Sequence, residues 1–141
     1  KTIVYTARDL SGIGEIFDAK KVKNSLDTGK IAFLSGGTGH PYFSTDTASV
    51  LRSLELSCEM MIKCTSVDGI YSADPKKDPT AQKLSTVTYS DILTKNLRIM
   101  DQASIALARD HELKIGVCHI DTLSSLSNLA KGIFEGSTIQ K

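Results

Sequence analysis

Three short runs of this chain are apolar almost without a break: "IAFLS" at 31–35, "EMMIKC" at 59–64 and "KIGVCHI" at 114–120. A strand with one face in water alternates apolar and polar residues, whereas a strand buried on both faces reads as a continuous apolar run. Helix-like stretches precede, separate and follow them. One covers 18–30, with Asp18 as a possible cap and Gly29 at its end. Another follows 44, with Ala48, Val50, Leu51 and Leu54 at helical spacing, Ser44 or Thr45 as cap and Asp46 in its first turn. A third runs over 89–97 from a Ser90 cap. The fourth, over 100–113, has Asp101 in its first turn and Ala103, Ala106 and Leu107 on one face. Leu123, Leu126, Leu129 and Ala130 make a last helix that Gly132 can end. "TIVYT" (2–6) and "GSTI" (136–139) add strands, 10–17 reads as a loop, and 65–84 reads as an excursion with a hairpin from "GIYSA" onward. Such alternation predicts an α/β fold of three layers (α/β/α) around a mainly parallel sheet, with the 141 residues as a single domain.

Composition narrows the partners. Hydrophobic residues make up 40% and charged residues 23%, with a net charge of +1. No basic excess points to nucleic acid, and no apolar run approaches the roughly 18 residues of a membrane helix. The three cysteines form no CxxC pair and are odd in number, so a disulfide framework is not expected and a reducing cytoplasm is the expected compartment. Cys64 and Cys118, inside apolar runs, read as small buried hydrophobes.

In open parallel sheets, ligands bind in the crevice outside the carboxyl ends of the strands. Three segments follow strand ends here: "GGTGHPYFSTD" (36–46), "TSVDGIYSAD" (65–74) and "DTLSS" (121–125). The first two are longer and chemically richer than a turn needs, which suggests a site with two halves. In the first, Gly36, Gly37 and Gly39 let a ligand approach the backbone, and Thr38, Ser44 and Thr45 offer hydroxyls. Tyr42 and Phe43 offer flat apolar surface, and the helix beginning near Thr45 favours an anion at its amino end. A nucleoside monophosphate fits that inventory; so does a plain strand-to-helix connection. The loop matches neither GxxxxGK[ST] nor GxGxxG. In the second, Tyr71 and Asp74 after Asp68-Gly69 could hold an adenine and its ribose, or belong to a solvated hairpin. Asp101 suits a helix start, which is the simpler reading of it. His111 and His119 lack ligand spacing, and the Lys20-Lys21 and Lys76-Lys77 pairs read as solvated faces.

"GGTGHPYFSTD", "KCTSVDGIYSADPKKDPTA" and "RIMDQASIALARDHEL" resemble the bacterial UMP kinases, a family within the amino acid kinase superfamily. The resemblance runs in order from about Lys30 to Ile139, and more weakly before that. It implies transfer of the ATP γ-phosphate to UMP, giving UDP and ADP for pyrimidine nucleotide synthesis. It also implies a homohexamer, Mg²⁺ carried with ATP, activation by GTP and inhibition by UTP. By the same resemblance Thr38, Gly39, His40, Pro41, Tyr42, Phe43, Ser44 and Thr45 fall in the UMP-binding stretch, with Thr45 nearest the phosphate. Thr65, Tyr71 and Asp74 match ATP contacts, with Tyr71 against the adenine. Asp46, and less directly Asp101, match carboxylates at the centre of phosphoryl transfer.

Two positions depart from the family pattern: His40 stands where Asn is usual, and Tyr71 where Phe is frequent. The family also begins with a strand and a lysine- and glycine-containing loop, then a second Gly-Gly stretch with an arginine, that cradle the phosphates. The resemblance places that region before Lys1, where the expectation is that it is missing. The sequence therefore resembles the C-terminal part of such an enzyme, and these 141 residues alone are expected not to turn over at a useful rate, because phosphoryl transfer rests on positioning and charge stabilisation. Two rival readings share the fold: a non-catalytic nucleotide-binding or storage protein, and a sister kinase acting on an amino acid or carbamate. The Tyr42-Phe43 pair and the hydroxyl row suit a nucleotide better than a small carboxylate.

Overall fold

β-Branched and aromatic residues make "TIVYT" a strand, β1 (Thr2–Thr6), and two further strands pair with it in parallel. These are β2 (Glu15–Ile16) and β3 (Ile31–Ser35), one on each side. The computed structural model describes residues 1–95, 97, 99–120 and 123–141, and the chain divides into two compact units, Lys1–Cys58 and Glu59–Lys141. In the first unit, α1 (Ala19–Asp27) starts where the Asp18 carboxylate accepts the Lys21 amide at 2.9 Å. It buries Val22 and Ser25, and the Ser25 hydroxyl meets the buried Tyr5 hydroxyl at 2.9 Å. α2 (Thr45–Glu55) buries Thr47, Ala48 and Val50.

The first unit corrects two sequence expectations. Residues 10–17 are not all loop, since β2 lies within them. β3 is not a strand buried on both faces: it forms an edge of its three-stranded sheet, and Ile31, Phe33 and Leu34 are exposed. An edge strand has no neighbour on its outer side, so a continuous apolar run there does not secure burial.

The second unit is built on a four-stranded sheet in the order β4 (Met60–Thr65), β8 (Lys114–His119), β9 (Ser137–Gln140), β7 (Thr86–Thr88). β4 pairs with β8 and β7 with β9 in parallel, while β8 and β9 are antiparallel. The expected hairpin is present as β5 (Ile70–Tyr71) against β6 (Lys83–Leu84). Ile115, Val117, Ile139, Ile105 and Ala108 are almost wholly buried and form the centre of this unit's core.

Three helices complete the second unit: α3 (Tyr89–Thr94), α4 (Gln102–Asp110) and α5 (Leu123–Ala130). The cap of α3 is Thr88, not Ser90. Its hydroxyl accepts the Asp91 amide, and the Asp91 carboxylate accepts from Thr88 in return, a reciprocal box that Ser90 has no partner spacing to make. Asp101 is the cap of α4 rather than a first-turn residue, and α4 buries Ser104, Ile105 and Ala108 instead of the predicted Ala103, Ala106, Leu107 face. Cys118 is buried as expected, but Cys64 is exposed, because β4 is an edge of its sheet. Of the "DTLSS" segment, Asp121 and Thr122 lie outside the described residues.

Candidate functional site

In the second unit, the loops that leave the carboxyl end of β4 enclose a cavity of about 580 Å³. Thr65, at the strand's last position, lines it, as do Tyr71 of β5 and Asp74 of the loop after it. Three residues spaced over ten positions of sequence thus face one space. The volume lies within the range of roughly 300–1,000 Å³ usual for small-molecule and cofactor sites. Its walls are apolar at Ile70, Leu97, Ile99 and Val117, and cationic at Lys63, Lys77 and Lys95. A flat apolar ring system carrying an anionic tail matches that division.

The local architecture explains how each group is held. Thr65 Oγ1 accepts the Val67 amide at 3.3 Å and so turns the chain out of the strand. Asp74 accepts the Lys76 amide at 3.0 Å, and its carbonyl accepts the Lys77 and Asp78 amides, which closes the Asp-Pro turn. Lys63 Nζ donates to the Ile99 carbonyl at 2.9 Å, tying β4 to the segment before α4. Lys95 is 2.9 Å from Asp91 and Lys77 is 3.9 Å from Asp74, so both rim cations have a carboxylate within reach. Lys63 and Lys95 were not singled out from sequence; Lys77, read there as part of a solvated face, is exposed as expected but also lines this cavity. The signal for Lys63 was there: a lone cation in an otherwise apolar strand.

The hairpin carrying Tyr71 is clamped by charge. Tyr71 donates its phenol hydrogen to Asp68 Oδ1 at 2.7 Å, and Lys83, its register partner across the hairpin, donates to Asp68 Oδ2 at 2.9 Å. The hydrogen bonds from Lys83 and then Tyr71 hold the Asp68 carboxyl below its ordinary value of 3.8, and the same bond raises the Tyr71 phenol. Because the folded value is depressed, the clamp's contribution is complete above 3.8 and lost as pH falls through the folded value. An acid titration followed by NMR should therefore show Tyr71 ring and Lys83 signals moving together below pH 3.8, and Asp68→Asn should abolish the joint movement. The clamp also gives the Tyr71 hydroxyl a role that a phenylalanine could not fill. From the start of β9, Ser137 accepts the buried Ile70 amide at 2.8 Å and fixes the base of the hairpin.

In the first unit, the glycine-rich loop folds over the end of β3. Gly39 has φ +79°, and a Cβ there would sit 3.1 Å from the Ala7 carbonyl, so the close approach requires glycine. Arg8 Nε donates to the Gly39 carbonyl at 2.6 Å, and Thr38 Oγ1 bonds both the amide and the carbonyl of His40. The loop is thus pinned through the backbone of Gly39 and His40. Tyr42 stands wholly in solvent at 103% relative exposure and Phe43 is exposed, so neither ring serves this unit's core. Pro41 lies between them and His40, also exposed.

At the start of α2 the structure modifies the anion argument. Ser44 is the cap, and its hydroxyl accepts the Asp46 and Thr47 amides at 3.0 and 3.2 Å. Two amides of the first turn are therefore engaged by the protein's own hydroxyl. An anion at this end would meet the exposed Thr45 before it met either of them. Asp46 is half-buried in that first turn. Asp101 accepts the Ser104 amide at 3.0 Å and lines a separate depression with Met100, Gln102 and Ile105, not the 580 Å³ cavity. Among the described residues no group of three or more His, Cys, Asp or Glu could hold a metal ion, and no helix is long and apolar enough to cross a membrane.

Comparison with known proteins places these features in a wider group. The amino acid kinase family matches residues 3–119. The chain is 42% identical over 137 residues to the uridylate kinase of Saccharophagus degradans, covering 97% of this chain and 56% of that protein. It is 45% identical over 129 residues to the uridylate kinase of a Sulfurovum species, covering 92% and 55%. Its structure is similar to that of the UMP kinase from Bacillus anthracis, with a TM-score of 0.92 at 29% identity, over 99% of this chain and 58% of that one. The UMP kinase from Ureaplasma parvum gives a TM-score of 0.91 at 28% identity. The chain spans a little over half the length of the curated relatives it matches.

Proposed function

This chain belongs to the amino acid kinase family, and on that premise we propose that it supplies the nucleotide-holding part of a UMP kinase, which moves the γ-phosphoryl group of ATP to UMP and yields UDP and ADP. One observation carries the reading: Thr65, Tyr71 and Asp74, matched to ATP contacts by sequence resemblance, line a single cavity of nucleotide size. In it Tyr71 stacks on the adenine, Asp74 and Thr65 take hydroxyl and phosphate contacts, and Lys63, Lys77 and Lys95 offset phosphate charge. Residues Thr38 to Thr45 hold UMP, with the Tyr42 and Phe43 rings against the uracil and ribose and Thr45 toward the phosphate. Asp46 and Asp101 order charge near the transferred group.

Mg²⁺ comes with ATP in this proposal. Mg²⁺ usually keeps its waters and substrate phosphates rather than an all-protein cage, so it would be held mainly by the nucleotide. Its contribution would be to neutralise phosphate charge. A homohexamer, activation by GTP, inhibition by UTP, a place in pyrimidine synthesis and a cytoplasmic location belong to the same proposal.

Calorimetry with ATP, UMP, aspartate and glutamate tests it. Binding of both nucleotides is expected, with an azido-ATP photolabel recovered on the peptide containing Tyr71. Binding of an amino acid without UMP would overturn it.

A further inference from the structure

Cys64 and Cys118 are register partners on the adjacent parallel strands β4 and β8. Side chains of register partners leave a sheet on the same face. Lys63, Thr65 and Val117, their chain neighbours, line the nucleotide-sized cavity, so by alternation both thiols lie on the sheet's other face. That face is open at Cys64 and Ile62, which are exposed, and closed over Cys118, which is buried. Adjacent strands run about 4.8 Å apart, inside the window of roughly 4.4–6.8 Å between Cα atoms that a disulfide spans.

We propose that Cys64 and Cys118 form a peroxide-oxidisable dithiol, with Cys64 as the sulfur that meets the oxidant and Cys118 as the resolving thiol. In the first step the Cys64 sulfur attacks one oxygen of hydrogen peroxide. The O–O bond breaks, and the departing hydroxide takes the thiol proton to become water, leaving a sulfenic acid on Cys64. In the second step the Cys118 sulfur attacks the Cys64 sulfur. The S–S bond forms, the S–O bond breaks, and the departing hydroxide takes the Cys118 proton as a second water. The two thiols lose two electrons between them and the peroxide gains them. Burial, together with Cys64 beside it, pushes the Cys118 thiol up to about 11. Since the thiolate is the attacking form, this supports Cys64 as the first to react. A bridge between register partners sits at the back of the cavity wall, and strained or accessible bridges of this kind are the readily reduced ones.

The test is mass mapping of the whole chain after brief exposure to an equimolar amount of hydrogen peroxide under native conditions, with acid quenching and maleimide blocking. The expected product is a Cys64–Cys118 cross-linked peptide, with Cys58 carrying maleimide and the bond reversed by dithiothreitol. Cys118→Ser should instead leave Cys64 as a sulfenic acid that dimedone traps, and Cys58→Ser should leave the cross-link yield unchanged. Oxidised Cys64 beside maleimide-labelled Cys118 in the native protein would overturn the proposal. So would an equal cross-link yield in guanidinium, where the strand register no longer exists. Mapping of the unmodified sequence decides the matter even where Cys118→Ser fails to fold.

Discussion

Tyr71→Ala is expected to weaken ATP binding from about 5-fold to about 150-fold, because stacking of a base on an aromatic ring is worth ~1–3 kcal/mol. The ring lines the cavity from the short strand β5, where it is held by the Asp68 bond rather than by core packing. Its removal should therefore leave global stability close to that of the parent. Tyr71→Phe separates the two roles of the side chain. It keeps the stacking face and loses the hydroxyl bond to Asp68, so affinity should fall far less while the hairpin loosens. Titration calorimetry with ATP, paired with urea unfolding of the same proteins, reads both effects. An unchanged ATP affinity in Tyr71→Ala would remove the ring from the binding account and leave the cavity without its main apolar contact.

Ile115→Ala should lower the stability of the second unit by about 2–5 kcal/mol, as large-to-small changes in well-packed cores do. Ile115 and Ile139 are both 0% exposed and are register partners on β8 and β9. That pair joins the two parallel halves of the sheet, so the space left by either truncation has little freedom to close. A loss of this size is a large fraction of the 5–15 kcal/mol by which a typical domain is stable. Ile139→Ala should cost a comparable amount. The double variant should cost less than the sum, since both deletions open the same volume. Urea unfolding midpoints for the three variants check this, and strict additivity would show that the two side chains pack into separate spaces.

The sequence was most legible where one short segment decides its own shape. The Asp18 cap and Gly29 stop of α1 and the β5–β6 hairpin depend on residues close in the chain, and all are present. The cavity residues Thr65, Tyr71 and Asp74 were accessible for the same reason, since one contiguous motif carries them. Caps were partly legible. The Thr88–Asp91 spacing was there to be read, but Ser90 offered an equivalent hydroxyl two residues later, and only the reciprocal bond to Asp91 chooses between them.

By itself, then, the sequence determined the order of the longer strands and the helices, the two elaborate loops, and the family whose motifs they carry, because those depend on local turn chemistry and on the period of apolar residues; it missed the short strands β2 and β7. Tertiary structure alone decided which apolar runs are buried. β3 and β4 read like central strands, yet each lies at a sheet edge, which exposes Phe33 on one and Cys64 on the other. It alone made a strand of "TVT" at 86–88, through pairing with β9 some fifty residues away, and brought Lys63, Lys77 and Lys95 to one cavity. The physical reason is common to these cases: burial, pairing and convergence depend on neighbours distant along the chain, and no local pattern encodes which neighbours those are.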